Sequence, residues 1–319
     1  VRDLMDKPIL ATFFTFSLWK DDMLASESVS KKVEEIRQQD PYYLTSYVLA
    51  MGSLFTEGTH LYLDTSHPLW HEALHSLMDQ LEKLDSKLNS KMVVFRDFIK
   101  DEKLHEFFHN LGFIQVSMPD SSRISNLIWK DSSSYISNLS KRSRSHFRKD
   151  IEPYEARFKI EIKNTIEPRE YDLFFKLLEN VRQNNLGLNT FPFPKKIFKY
   201  MSDHQNWEFI ILKLRSGYSK DAREPVVGVM FCYKNIARAY IPSFIGMDYE
   251  YAKVHQVYRQ LLYQTIKRAG ELGYREILFG MTAAFEKRKL GAVTISQISY
   301  IQSKDNYNLE LVGILENSG

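Results

Sequence analysis

Cysteine is nearly absent: Cys232 is the one thiol in 319 residues. That excludes an internal disulfide and a cysteine-caged metal site, and makes a reducing compartment, the cytoplasm, the expectation. No apolar run reaches the ~18 residues that a membrane span requires. Charge of one sign does not dominate either, since 43 Lys and Arg stand against 40 Asp and Glu, for a net +3. Such a balance gives no argument by itself for a nucleic-acid partner. A P-loop, a Gly-x-Gly-x-x-Gly turn, a Gly-x-Ser-x-Gly elbow and a cysteine in nucleophile context are also missing. Residues 1–7 carry no signal-peptide core and no initiator Met, so the chain is expected to be a processed form or part of a larger polypeptide.

The residues that are present describe a globular protein, 44% hydrophobic and 26% charged. Its length suggests about two domains at ~150 residues each. The 21 Phe and 18 Tyr favour folds with much sheet. In the second half, a basic helix over 135–149 precedes a strand at 158–162. A helix opened by Glu167-Pro168 and another over 195–202 follow, then strands at 207–214, 226–233 and 237–245. A long helix over 254–272 ends at Gly273, the place for a C-cap glycine. A strand at 276–279, a short charged helix over 284–290 and strands at 293–302 and 309–315 complete the pattern.

The first half repeats the end of that series. Its long helix spans 68–88, its strand 91–95 and its short helix 102–111, and strands lie at 114–117 and 124–129. Leu111-Gly112 and Leu290-Gly291 fall at matching places, 179 residues apart. A period so long is no solenoid; it fits two copies of one α/β (α+β) domain, 1–132 and 133–319. The strand at 9–19 matches 226–233, yet only eight residues precede it, so the first copy is expected to be truncated. A polar stretch over 20–59 reads as an insertion of loop character.

The stretches Val226-Val227-Gly228-Val229-Met230-Phe231, 240–248, Gly280-Met281-Thr282, Glu286-Lys287 and Leu290-Gly291-Ala292, in this order of elements, resemble the GNAT superfamily of N-acyltransferases. Doubled in one chain, the pattern is similar to the tandem branch that includes Fem-type aminoacyltransferases and related bacterial N-acyltransferases. The resemblance implies two GNAT-like mixed-sheet domains in tandem. It also implies transfer of an acyl group from acyl-CoA, a co-substrate not tightly bound, to a small-molecule amine. One departure is plain. GNAT enzymes place a glycine-bearing turn before the long helix to cradle pyrophosphate, whereas 248–258 holds no glycine. Fem-type enzymes, which take aminoacyl-tRNA, work without that turn; a tRNA donor is the less favoured expectation here.

Amine attack on an acyl carbonyl needs a base, an N–H donor for the oxyanion and an acid for the leaving group. The resemblance places the oxyanion donor in the strand before the long helix, where Pro242 breaks the ladder. Asp248, with Glu250 beside it, is the candidate base, and Tyr258 or Tyr263 a phenol donor. Phe244, Ile245, Gly246, His255, Gln256, Val257, Arg259, Thr282 and Lys287 would line the donor. In the basic helix, Tyr135, Leu139, Phe147 and Ile151 share one side, leaving Arg142, Arg144 and Arg148 as candidate phosphate ligands. The alternatives are an amphipathic surface helix there, tyrosines that pack, and Asp248 as a turn cap.

A different chemistry competes for the first half. His71-Glu72-Ala73-Leu74-His75 matches His-Glu-x-x-His on a helix, and His105-Glu106-Phe107-Phe108-His109 repeats it. A zinc hydrolase on His71 and His75 is the second functional reading, but Met78 and Leu81 stand where the extended metalloprotease pattern has Gly and His. No metal is therefore expected. A binding module that kept the fold without the chemistry is the third reading.

Overall fold

A computed structural model describes residues 1–317 apart from 59, 130 and 221–223. The elements run β1 (Leu10–Ala11), β2 (Phe14–Lys20), α1 (Glu27–Arg37), β3 (Thr45–Met51), β4 (Tyr62–Leu63), α2 (Trp70–Leu88), β5 (Met92–Phe98), α3 (Glu102–Asn110) and β6 (Ile114–Ser125). They continue as α4 (Ser132–Asn138), α5 (Lys141–Asp150), α6 (Glu152–Glu155), β7 (Phe158–Lys163), α7 (Tyr171–Gln183), α8 (Ile197–Asp203), β8 (Trp207–Leu214), β9 (Val226–Lys234) and β10 (Ala239–Met247). The last are α9 (Tyr249–Ala252), α10 (Val257–Glu271), β11 (Glu276–Gly280), α11 (Ala284–Lys289), β12 (Val293–Ser303) and α12 (Tyr307–Asn317). No helix among the described residues is long and apolar enough to cross a membrane.

Two compact units emerge, and each mixes parallel with antiparallel strands. The first holds Val1–Met118, Asn185–Phe191 and Ser296–Gly319. In it β2 pairs antiparallel with β3, β3 parallel with β5, and β5 antiparallel with β12. Leu74, Phe95, Phe108 and Tyr300 fill its core. The second unit holds Pro119–Asn184 and Pro192–Ile295. Its strand order is β6-β11-β10-β9-β8-β7, with one parallel pair, β10 with β11. Helix α10 packs on that sheet through Val257, Leu261 and Ile266. Two of its buried side chains donate to backbone: Gln260 Nε2 to the Ile151 carbonyl at 2.5 Å and Thr265 Oγ1 to the Leu261 carbonyl at 2.7 Å.

The repeated Leu-Gly junctions have the same local geometry. Gly112 and Gly291 both take positive φ, +81° and +91°, which a residue with Cβ adopts only at a cost. Phe113 N–H returns to the Phe108 carbonyl, as Ala292 N–H returns to that of Lys287, and a strand follows each time.

Several expectations are corrected. The stretch 20–59, expected to be a loop-like insertion, forms α1 and β3, and β3 lies between β2 and β5; its end at 59 falls outside the described residues. The expected strand at 309–315 is helix α12, because Leu311 and Leu315, four apart, pack with Val312 on Val29, Val33 and Leu44. The helix expected over 254–272 starts at Val257, after a separate turn of helix, because Gln256 takes φ +55°. The single basic helix is two, broken where Leu139 turns extended and Ser140 caps α5 by accepting from Ser143 N–H. Tyr135, Leu139, Phe147 and Ile151 are nonetheless all buried, as their spacing implies.

Candidate functional site

Strands β10 and β11 run side by side over two residue pairs only, Ala239↔Glu276 and Tyr240↔Ile277. Beyond them β10 continues to Met247 bound to β9, while β11 continues to Gly280 bound to β6. A wedge-shaped gap thus opens between two parallel strands. On its β10 side the register with β9 slips between Pro242 and Phe244, which leaves Ser243 as the extra residue of a bulge. Proline has no N–H for the ladder, so the slip falls where the sequence puts Pro242. Gly246 follows on the same strand. A Cβ there would stand 2.9 Å from the Leu177 side chain and 3.0 Å from its backbone, so α7 approaches β10 more closely than any other residue would permit.

The residues after β10 are held firmly. Asp248 caps α9, its Oδ1 accepting from Glu250 N–H at 3.0 Å. Arg157 donates to His255 Nδ1 at 3.3 Å. Arginine has no lone pair to offer, so the imidazole proton resides on Nε2 and His255 presents a donor. Burial, and then the Arg157 charge, hold its pKa below the usual histidine range. Tyr258, in the first turn of α10, is pushed well above the usual phenol range by burial and by the Glu286 carboxylate. It therefore keeps its proton at neutral pH. Tyr263 donates to Ser132 Oγ at 3.0 Å.

No family profile matches the chain, and no curated protein does. Solved structures do. FemX superposes with a TM-score of 0.54 at 13% identity, over 85% of this chain and 83% of that one. L-PGS from Bacillus licheniformis gives 0.51 at 12% identity, over 85% and 84%. The chain shares the fold of FemX and L-PGS.

Many of the side chains expected to contact a donor are engaged with other parts of the chain. Phe244 stacks with Trp207 and meets Phe193 edge-on, and Ile245 packs on the core beneath α10. Val257 is fully buried in that core. Gln256 donates to the Lys253 carbonyl and accepts from Arg259. Arg259 grips Glu286 with two bonds, 2.7 and 3.1 Å, and Lys289 adds a third at 3.0 Å. The Arg259 contact, opposed by burial and helped by Lys289, lowers the Glu286 pKa to about 2. The Lys287 ammonium turns inward to the carbonyls of Phe279, Gly280 and Met281. Thr282 is exposed, at φ +63°.

Cationic charge gathers instead between α5 and α11, where a cavity of about 480 Å³ lies. Arg142 and Lys149 line it from α5, Arg288 and Lys289 from α11, and the half-exposed Phe285 ring lines it too. Arg144, expected to bind phosphate, bonds instead to the carbonyls of Ser137 and Leu139, and neither it nor Arg148 lines the cavity. His146 Nδ1 meets Asp150 Oδ2 at 2.7 Å inside the cavity. Burial and the Lys289 charge lower its pKa although Asp150 opposes them. Sequence reasoning missed Arg288 and Phe285 as partners of Arg142. Both charge runs were visible, but nothing in a linear reading says that 142 and 288 meet.

The histidine motifs have ordinary surroundings. His71 stacks on Trp70 and His75 meets the Phe107 ring edge-on. Among the described residues no three His, Cys, Asp or Glu side chains gather as a metal site. Cys232 is buried, and burial pushes its thiol far above the usual range, so it stays protonated.

Proposed function

We propose that the chain is an N-acyltransferase that moves an acyl or aminoacyl group from a CoA-type donor to a primary amine, with the chemistry in the second copy, 133–319. The observation that carries this reading is the divergence of β10 from β11 after two residue pairs, with a bulge at Pro242–Phe244 on one wall. Backbone N–H groups freed from a ladder are the donors an oxyanion needs. The fold shared with FemX and L-PGS supports it.

In this mechanism the amine attacks the acyl carbonyl in the wedge, and the oxyanion forms against the bulged strand. Asp248, at the strand's end, takes the ammonium proton. Tyr258, which holds its proton at neutral pH, returns a proton to the leaving thiolate or ester oxygen.

The test is transfer from a panel of acyl-CoAs and aminoacyl-tRNAs to small amines. Asp248→Asn keeps the α9 cap, so its fold should survive while kcat/KM falls about 10²–10⁴-fold; Tyr258→Phe should lose at least about tenfold. Absence of transfer from every donor, or full activity in both variants, removes the proposal.

A further inference from the structure

The glycine-free turn at 248–258 and the engagement of Arg259 with Glu286 leave the start of α10 without the anion cradle that GNAT enzymes use. The cavity between α5 and α11 has what that turn lacks. Arg142, Lys149 and Arg288 line it, and none makes an ion pair among the described residues. Asp150, bonded to His146, is the one carboxylate in the lining against these three cations, so the charge of the lining is positive. Its volume, about 480 Å³, suits a small ligand rather than a bare ion. Phe285 is 57% exposed, with the Lys289 ammonium 4.2 Å from its ring centre. Exposing an aromatic ring among cations disfavours an apolar ligand there. It favours one carrying both negative charge and a flat π-face.

We propose that this cavity holds the phosphorylated nucleoside end of the acyl donor, with Arg142, Lys149 and Arg288 on the phosphates and Phe285 beneath the base. The proposal rests on the acyltransferase reading, and it moves the donor's anchor from the start of α10 to the α5–α11 cleft. Two sources carry this chemistry, the nucleotide of coenzyme A and the 3′ end of a tRNA.

The experiment measures binding of two probes to the full chain, adenosine 3′,5′-bisphosphate by calorimetry and a labelled tRNA acceptor-stem RNA by anisotropy. Arg142 and Arg288 are exposed, so a double variant R142E/R288E should fold, which its circular dichroism melt checks. It should lose at least tenfold in affinity, Phe285→Ala several-fold, and Lys199→Glu, a single charge reversal on α8 outside the cavity, less than twofold. A CoA-type donor predicts binding of the bisphosphate. A tRNA donor predicts binding of the RNA, with a salt slope that shrinks in the double variant. If neither probe binds, or the double variant binds as the parent does, the cleft proposal fails. Acyl transfer that persists in either case leaves the enzyme reading standing, and binding without any transfer strikes only the latter.

Discussion

Three carbonyl oxygens, those of Phe279, Gly280 and Met281, converge on the Lys287 ammonium at 2.8, 2.9 and 2.7 Å. They do so because the chain leaves β11 through Gly280, Thr282 and Ala283, all at positive φ. Backbone in that region costs energy for residues with a Cβ, and the buried cation offsets the cost. A lysine that the sequence offers as a donor contact is thus part of the wall of the wedge. Lys287→Met should destabilise the protein by about 3 kcal/mol, since hydrogen bonds from a charged donor contribute roughly 1.5–3 kcal/mol each and some relaxation follows. Lys289→Met, which loses a partly exposed pair with Glu286, should cost under about 1 kcal/mol. Urea unfolding of both variants checks the ranking. Equal effects would mean that the three carbonyls find other donors.

At the scale of elements, α1 is tied down by a buried polar cluster. Glu34 Oε1 accepts from Lys20 at 2.8 Å, Arg37 at 2.6 Å and Asn189 at 2.9 Å, and Arg37 also reaches Asp22 at 2.6 Å. Asn189 belongs to the short segment Asn185–Phe191 that joins the first unit. Burial alone would raise the Glu34 pKa, but the bonds from Lys20, Asn189 and Arg37 outweigh it and bring it from 4.5 to about 2. A carboxylate depressed on folding adds stability that is complete above pH 4.5 and is lost as the pH falls toward 2. Glu34→Gln should therefore be less stable than the parent at pH 7 and approach it as the pH drops through that window. Chemical denaturation at pH 7, 4 and 3 measures the gap; a constant difference would sink the assignment.

The same scale shows what a sequence can tell about this fold. The order of the long helices and the strands after them was readable, because 3.6-residue periodicity and the Leu-Gly stops are local signals. Strand β3 was not. Val48, Leu49, Ala50 and Met51 are all buried, so the alternation that marks a half-exposed strand is missing. The run 309–315 is rich in branched residues and reads as a strand, yet its packing partners on α1 favour the helix. For the site, the break at Pro242 and the charge of α5 were visible. The inward turn of Lys287, the capture of Arg259 and the meeting of Arg142 with Arg288 are tertiary facts with no local trace.

At the scale of the whole molecule, each compact unit depends on a strand from the other half of the sequence. In the first, residues 298–303 of β12 pair with 92–98 of β5, and Tyr300 lies stacked on Phe108, ring centres 4.5 Å apart, in the core. In the second, residues 122–125 of β6 pair with 276–280 of β11, and Ile124 enters the core. Cutting the chain between the copies expected at 1–132 and 133–319 would strip each piece of that strand. Fragment 1–132 would expose one edge of β5 and open a hole where Tyr300 sat. Fragment 133–319 would bare β11, one wall of the wedge. Unpaired ladders and lost core aromatics of this kind cost more than a marginal domain can absorb. Neither fragment alone should give a dispersed amide spectrum or a cooperative melt, whereas the two co-expressed should associate and regain both, because every strand is then present. A fragment 1–132 that folds by itself would show that β12 is an accessory to the first unit rather than a part of its core.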